Sequence, residues 1–199
     1  MGAIFQSLGR TITAGIVVLV VLVAIGAAIG GSSIRFADHA YWAFIFRWLH
    51  ILSGVMWIGI LWYFNFVQIP SMPKIPDEQK PAIGKVIAPT ALFWFRWAAL
   101  ATLVTGVLLA SMPPNGYILQ ALSLQRPFTP IGIGMWLGLI MAYNVWMIIW
   151  PNQQKALGMV EATADEKKAA ARIAMLTSRV NTMFSIPMLY FMVGAQNIY

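Results

Sequence analysis

Twenty consecutive residues without a single charge, Ile12 to Gly31, stand near the start of this chain. A helix crossing a hydrocarbon core about 30 Å thick needs roughly 20 such residues, and inside lipid every backbone polar group must be satisfied within the helix itself. Further predominantly apolar runs follow at about 41–67, 90–111, 131–150 and 173–195, three of them holding one arginine each (Arg47, Arg96 and Arg179). Charge content points the same way: 10% of the 199 residues are charged and 60% are hydrophobic, whereas soluble domains carry about 25% charged residues. The expected fold is an all-α membrane protein. It is a single domain, residues 1–199, built as a bundle of about five transmembrane helices.

The first run exceeds the roughly 7–15 residues of a signal-peptide core, so it reads as a retained span. Proline is expected to close the others, with Pro70, Pro73 and Pro76 after the second, Pro113 and Pro114 after the third and Pro151 after the fourth, since proline lacks the amide donor a helix interior requires. Orientation follows from the basic residues. Arg10, Lys74, Lys80, Lys85, Lys155, Lys167, Lys168, Arg172 and Arg179 fall on the side of the N-terminus, against Arg35 and Arg126 on the other. The N-terminus is therefore expected in the cytoplasm and the C-terminus outside. The 152–172 connection reads as a cytoplasmic amphipathic loop lying on the membrane surface. A net charge of +7 would suggest nucleic acid in a soluble protein. Here the cations flank apolar runs and serve lipid headgroups and topology, so no nucleic-acid role is expected.

The chain has no cysteine, which excludes disulfides, thiolate chemistry, iron–sulfur ligation and covalent c-type haem. It has two histidines, His39 and His50. At 100° per residue Arg47, His50, Gly54, Trp57, Leu61, Asn65 and Gln68 share an arc of about 80°. So polar a stripe should look into the bundle. Arg47 lies toward the outer end, where it is either an interfacial anchor or a functional cation. The neutral imidazole of His50 can ligate haem or a metal, move a proton, or bond a neighbouring helix. His39 lies 11 residues away, about 16 Å along a helix, so the two cannot clamp one iron. Haem b at His50 would need a methionine, an open site or a ligand from another chain. Arg96 stands among Phe93, Trp94, Phe95 and Trp97, and every carboxylate falls in a loop, so a carbonyl, a lipid phosphate or an anionic ligand must serve it. Ala99, Thr102, Gly106 and Ala110, and Gly134 with Gly138, are small-residue faces suited to helix packing.

The segments RWLHILSGVMWIGILWYFNFVQ, FWFRWAALATLVTG, NVWMIIWPNQQKAL and SRVNTMFSIPMLYFMV resemble the N-terminal membrane domain of bacterial cytochrome-c-linked urate oxidases (urate hydroxylases), over about residues 41–197. The matching positions are Arg47, His50, Gly54, Trp57, Gly59, Arg96, Trp97, Pro151, Asn152, Ser178, Asn181 and Pro187. The resemblance implies a protein of the bacterial inner membrane that oxidises a small heterocycle and passes electrons to a cytochrome. Arg47 or Arg96 would hold the anionic substrate, and His50 would move protons or bind haem. The sequence carries no cytochrome c domain of its own. H-x-x-x-G-x-x-W-x-G is also similar to histidine-bearing helices of membrane protoporphyrinogen oxidases and copper-resistance proteins. An alternative stays open: a non-catalytic accessory subunit packed against other subunits of a respiratory or photosynthetic membrane complex.

Overall fold

A computed structural model describes residues 2–30, 35–112 and 116–199. The expected end of the first run at Gly31 and the expected stop at Pro113 and Pro114 lie outside the described residues. The chain divides into two compact units, one up to Tyr41 and one from Trp42 to Tyr199. The described residues are helical and show no strand.

In the first unit a short helix, Gly2–Phe5, precedes α1, Leu8–Gly30. Inside α1 the Thr13 hydroxyl donates to the Gly9 carbonyl at 3.0 Å, so even its polar side chains are satisfied without water. No residue of α1 is buried within the chain.

The second unit holds α2 (His39–Lys74, whose first residues belong to the first unit), α3 (Lys80–Ser111), α4 (Thr129–Ala156) and α5 (Ala164–Gly194). Helices α1 to α4 are long and apolar enough to cross a membrane. Helix α5, which contains the expected fifth run at 173–195, falls short of that measure. Its charges extend to Arg179 and leave the 15 residues Val180–Gly194 free of charge. The charged segment expected to lie separately on the surface is instead the first third of this one helix. Thr163 starts it with a capping box: its hydroxyl accepts from the Glu166 amide, and the Glu166 carboxylate accepts from the Thr163 amide at 2.7 Å. That bond holds the Glu166 carboxyl below the usual carboxylate range.

Helix α2 ends at Lys74 with Ile75 extended before Pro76, as expected, but Pro70 and Pro151 do not stop their helices. Pro70, Pro89 and Pro151 each stand two residues beyond a π-helical turn, at Tyr63–Gln68, Ile83–Ile87 and Asn144–Ile149. The residue just before each proline donates to a carbonyl five positions back: Ile69 to Phe64, Ala88 to Ile83 and Trp150 to Val145. A proline ring collides with the carbonyl four residues behind it in α-helical register. One extra residue in the turn widens it and moves that carbonyl aside, so the helix runs on through the proline.

Pairings fix the register. Helix α2 lies antiparallel to α3, with His50 on Thr102 and Phe64 on Phe95. It is also antiparallel to α5, with Trp62 on Ser185 and Asn65 on Ser178. Helices α4 and α5 are antiparallel too, with Asn144 on Asn181 and a tight approach of Gly134 to Met192. Trp57, Leu61, Phe95, Met141, Val145 and Met188 form the core between them. A short helix, Ile118–Leu122, packs on the start of α4. There the Ala121 carbonyl lies against Gly132, and the Trp136 indole donates to the Leu122 carbonyl at 2.9 Å.

Candidate functional site

The stripe on α2 turns inward over its middle. Trp57 is 1% and Leu61 0% exposed, His50, Gly54, Asn65 and Gln68 are half-buried, and Arg47 is exposed. The members of the stripe therefore have different surroundings, and Arg47 departs from the expected inward face. Arg47 and His50, one turn apart, occupy one end, whereas Arg96 belongs to the opposite half of the bundle.

The imidazole of His50 rests on Gly106. A Cβ at that glycine would come within 2.9 Å of His50 Cε1 and 3.0 Å of Nδ1. Nδ1 stands 2.8 Å from the Thr102 carbonyl oxygen. A carbonyl can only accept, so Nδ1 carries the proton and Nε2 keeps the lone pair in the neutral ring. That tautomer is suited to a proton acceptor or an oriented ligand. Haem b would need a flat apolar slot at Nε2. Neither of the two cavities described below is lined by His50, and no group of three His, Cys, Asp or Glu side chains gathers among the described residues.

Arg47 looks into a cleft of about 380 Å³ with Tyr117, Pro127, Phe128, Ile131, Ala195 and Gln196. The rings of Tyr117 and Phe128 stack with centroids 5.3 Å apart and planes 5° from parallel. Burial pushes the Tyr117 phenol up, partly offset by the nearby Arg47 charge, so the phenol stays a protonated donor at neutral pH. A guanidinium, a phenol, a carboxamide and a flat aromatic pair thus meet in one open cleft. Such a set recognises a planar molecule carrying negative charge. The sequence singled out Arg47 but missed Tyr117, Phe128 and Gln196, which lie far from it in the chain and follow no spacing rule.

Arg96 is 9% exposed. Its Cζ lies 3.2 Å from the centroid of the Trp150 ring and 5.9 Å from that of Trp146, a cation–π stack. Among the described residues its Nε and Nη1 have no hydrogen-bond partner, and neither does the buried Trp146 Nε1. The ion pair seen among the described residues joins Lys80 to Asp77 at 2.6 Å, on a loop. The i, i+4 tryptophans Trp146 and Trp150 were a readable signal for this stack, since helical residues so spaced share a face.

Beside it, α3 and α4 enclose an open apolar groove of about 690 Å³, lined by Leu100, Leu103, Trp136, Leu139, Ile140, Ala142, Tyr143, Trp146 and Met147.

No curated protein and no solved structure matches the chain. Residues 117–198 match the family model described as urate oxidase N-terminal. The matched segment takes in α4, α5 and every lining residue of the 380 Å³ cleft except Arg47. Over that segment, and short of half its length, the chain is similar to the urate oxidase N-terminal family.

Proposed function

We propose that the chain is an integral protein of the bacterial inner membrane, N-terminus in the cytoplasm and C-terminus outside, whose Arg47 cleft binds a small anionic heterocycle. Four helices of sufficient length and apolarity support the membrane reading, and the excess of Lys and Arg on one side supports the orientation. Helix α5 completes the crossing through Val180–Gly194, with Arg172 and Arg179 reaching back to the headgroups. Reporter fusions after residues 76 and 158 should read cytoplasmic, and one after residue 125 should read external. A reversed pattern would overturn the orientation.

One observation carries the ligand reading: the Arg47 guanidinium, the Tyr117 hydroxyl and the Gln196 amide flank the stacked Tyr117–Phe128 pair in a single cleft. All but Arg47 come from the segment that matches the urate oxidase N-terminal family. Arg47 compensates the negative charge, and the aromatic faces select flatness. His50, one turn along α2, is the base nearest in sequence. In the redox role the heterocycle gives up two electrons and two protons, and the electrons reduce two external ferricytochromes.

Titrating the full chain in mild detergent with urate should raise its thermal midpoint. Arg47→Gln should weaken binding at least about tenfold, equivalent to about 1.4 kcal/mol, without lowering the midpoint of the unliganded protein. Added ferricytochrome c should be reduced only when urate is present. Absence of any urate-dependent shift would defeat the ligand reading. A chain that binds urate without reducing cytochrome, and purifies within a larger membrane complex, is an accessory subunit and not a complete oxidase.

A further inference from the structure

The carboxylates of the second unit are Asp77, Glu78, Glu161, Asp165 and Glu166, all in or beside the α2–α3 and α4–α5 connections. The Arg47 cleft lies at the opposite end of the same helices. Its rim is exposed at Arg47, Pro127 and Gln196, and Arg126, directly before Pro127, is exposed as well. Two cations thus stand at a mouth where the second unit places no carboxylate. The remaining acid, Asp38, belongs to the first unit, where it accepts from the Ala40 amide at 2.9 Å.

Three helices measure how far the mouth lies from the lysine-rich end. Along α2, Arg47 and Lys74 stand about 40 Å apart. Along α4, Thr129, next to the lining Phe128, stands about 39 Å from Lys155. Along α5, Arg172 stands about 33 Å from Gly194, with Gln196 just beyond. The two headgroup layers of a bilayer span about 40–45 Å. With the lysines among the inner headgroups, the cleft therefore opens at the outer headgroup layer, within reach of water.

We infer that the cleft is loaded from the outer aqueous phase, and that Arg126 steers the anion toward Arg47. The inference rests on the orientation and the heterocycle reading above. An anion coming from the cytoplasm would have to pass the apolar core of Trp57, Leu61, Phe95 and Met141, and charge inside a membrane span is costly. From the outer side it meets only water and two guanidinium groups. Like charges at a mouth raise the local concentration of anions and their rate of entry, and salt weakens the effect. Arg47 lines the cleft and Arg126 does not, so the two differ in role: Arg47 holds the ligand, whereas Arg126 acts on its approach.

The chain has no cysteine, so single cysteines report the face directly. Ala195→Cys places a small thiol in the cleft wall, and Gln79→Cys places one in the α2–α3 connection. In intact spheroplasts a membrane-impermeant maleimide should label Ala195→Cys, and urate should slow that labelling. Gln79→Cys should be labelled only after permeabilisation. Should Ala195→Cys fail to assemble, Gln196→Cys reads the same wall from an exposed position. Cleft cysteines that react only after permeabilisation would overturn the loading face. Labelling from outside that urate does not slow would sink the heterocycle reading instead.

Steering is read on the purified full chain, from the urate concentration that halves the labelling rate of Ala195→Cys. Adding Arg126→Gln should raise that concentration about threefold in about 20 mM salt and leave it unchanged in about 0.5 M. Arg47→Gln, at a contact residue, should raise it in both. An Arg126→Gln effect equal at the two salt concentrations, or absent from both, would overturn the steering role.

Discussion

Replacing Gly132 by alanine should prevent the bundle from assembling as it does now. A Cβ there would collide with the Ala121 carbonyl oxygen and stand 2.9 Å from Leu124 Cδ2. Backbone cannot step aside as a side-chain tip can, so the Ile118–Leu122 helix would have to lift off α4. Overpacking typically costs roughly 1–3 kcal/mol, and this collision, with backbone on one side, belongs at or above the upper end. Gly138→Ala is the control: it lies on the same helix, and an added Cβ meets nothing within 4 Å. It should be neutral or slightly stabilising, because alanine is favoured over glycine in a helix by about 1 kcal/mol. Thermal midpoints in one detergent decide the matter. A Gly132→Ala protein melting with the native chain would show that the Ala121 corner is loosely held.

Asn181→Leu should be the most damaging change of a polar side chain. Asn181 is 0% exposed. Its oxygen accepts from Asn144 Nδ2 at 2.8 Å and its amide donates to the Met141 carbonyl at 2.9 Å. Met141 lies at the edge of a π turn, where backbone bonds change register. Leucine nearly preserves volume but leaves the buried Asn144 amide donor bare, at about 1–3 kcal/mol, and takes one of two donors from the Met141 carbonyl, which keeps the Asn144 backbone N–H. Interhelical hydrogen bonds in membrane proteins average only about 0.6 kcal/mol in double-mutant cycles, but that figure describes the net bond and not the stranding of its partners. A loss of about 1–3 kcal/mol is therefore expected. Asn144→Leu added to Asn181→Leu should recover part of it by removing the stranded donor. A double variant less stable than Asn181→Leu alone would show that packing and not hydrogen bonding holds the α4–α5 pair.

What the sequence makes legible here is what depends on solvent. Charge-free runs announce helices, and a polar stripe at 100° spacing announces the inward face of α2, which Trp57 and Leu61 occupy. Relations across helices are not written in either pattern. Gly54 shares the stripe on α2, yet a Cβ there would meet nothing nearer than Thr102 Cγ2 at 3.9 Å. The tight glycine is Gly106, because the imidazole of His50 lies on it, and which ring meets which glycine depends on register. The three candidate residues divide for the same reason. Arg47 and His50 share a helix, whereas Arg96 is drawn to Trp146 and Trp150 by a pairing only the fold reveals. Helix ends were misread most. Pro70 and Pro151 were taken as punctuation, whereas π turns let α2 and α4 run past them.

Those turns also bear on how relatives of this chain should vary in length. Each π turn is in effect a single-residue insertion, tolerable because a proline two positions later would otherwise break the helix. Remove the residue and keep the proline, and the clash returns. Remove the proline and keep the residue, and the wider turn loses its reason to persist. Gap and proline should therefore be inherited together. In an alignment of relatives, a one-residue deletion within 144–149 should coincide with the loss of proline at 151, and likewise for 63–68 with Pro70 and 83–87 with Pro89.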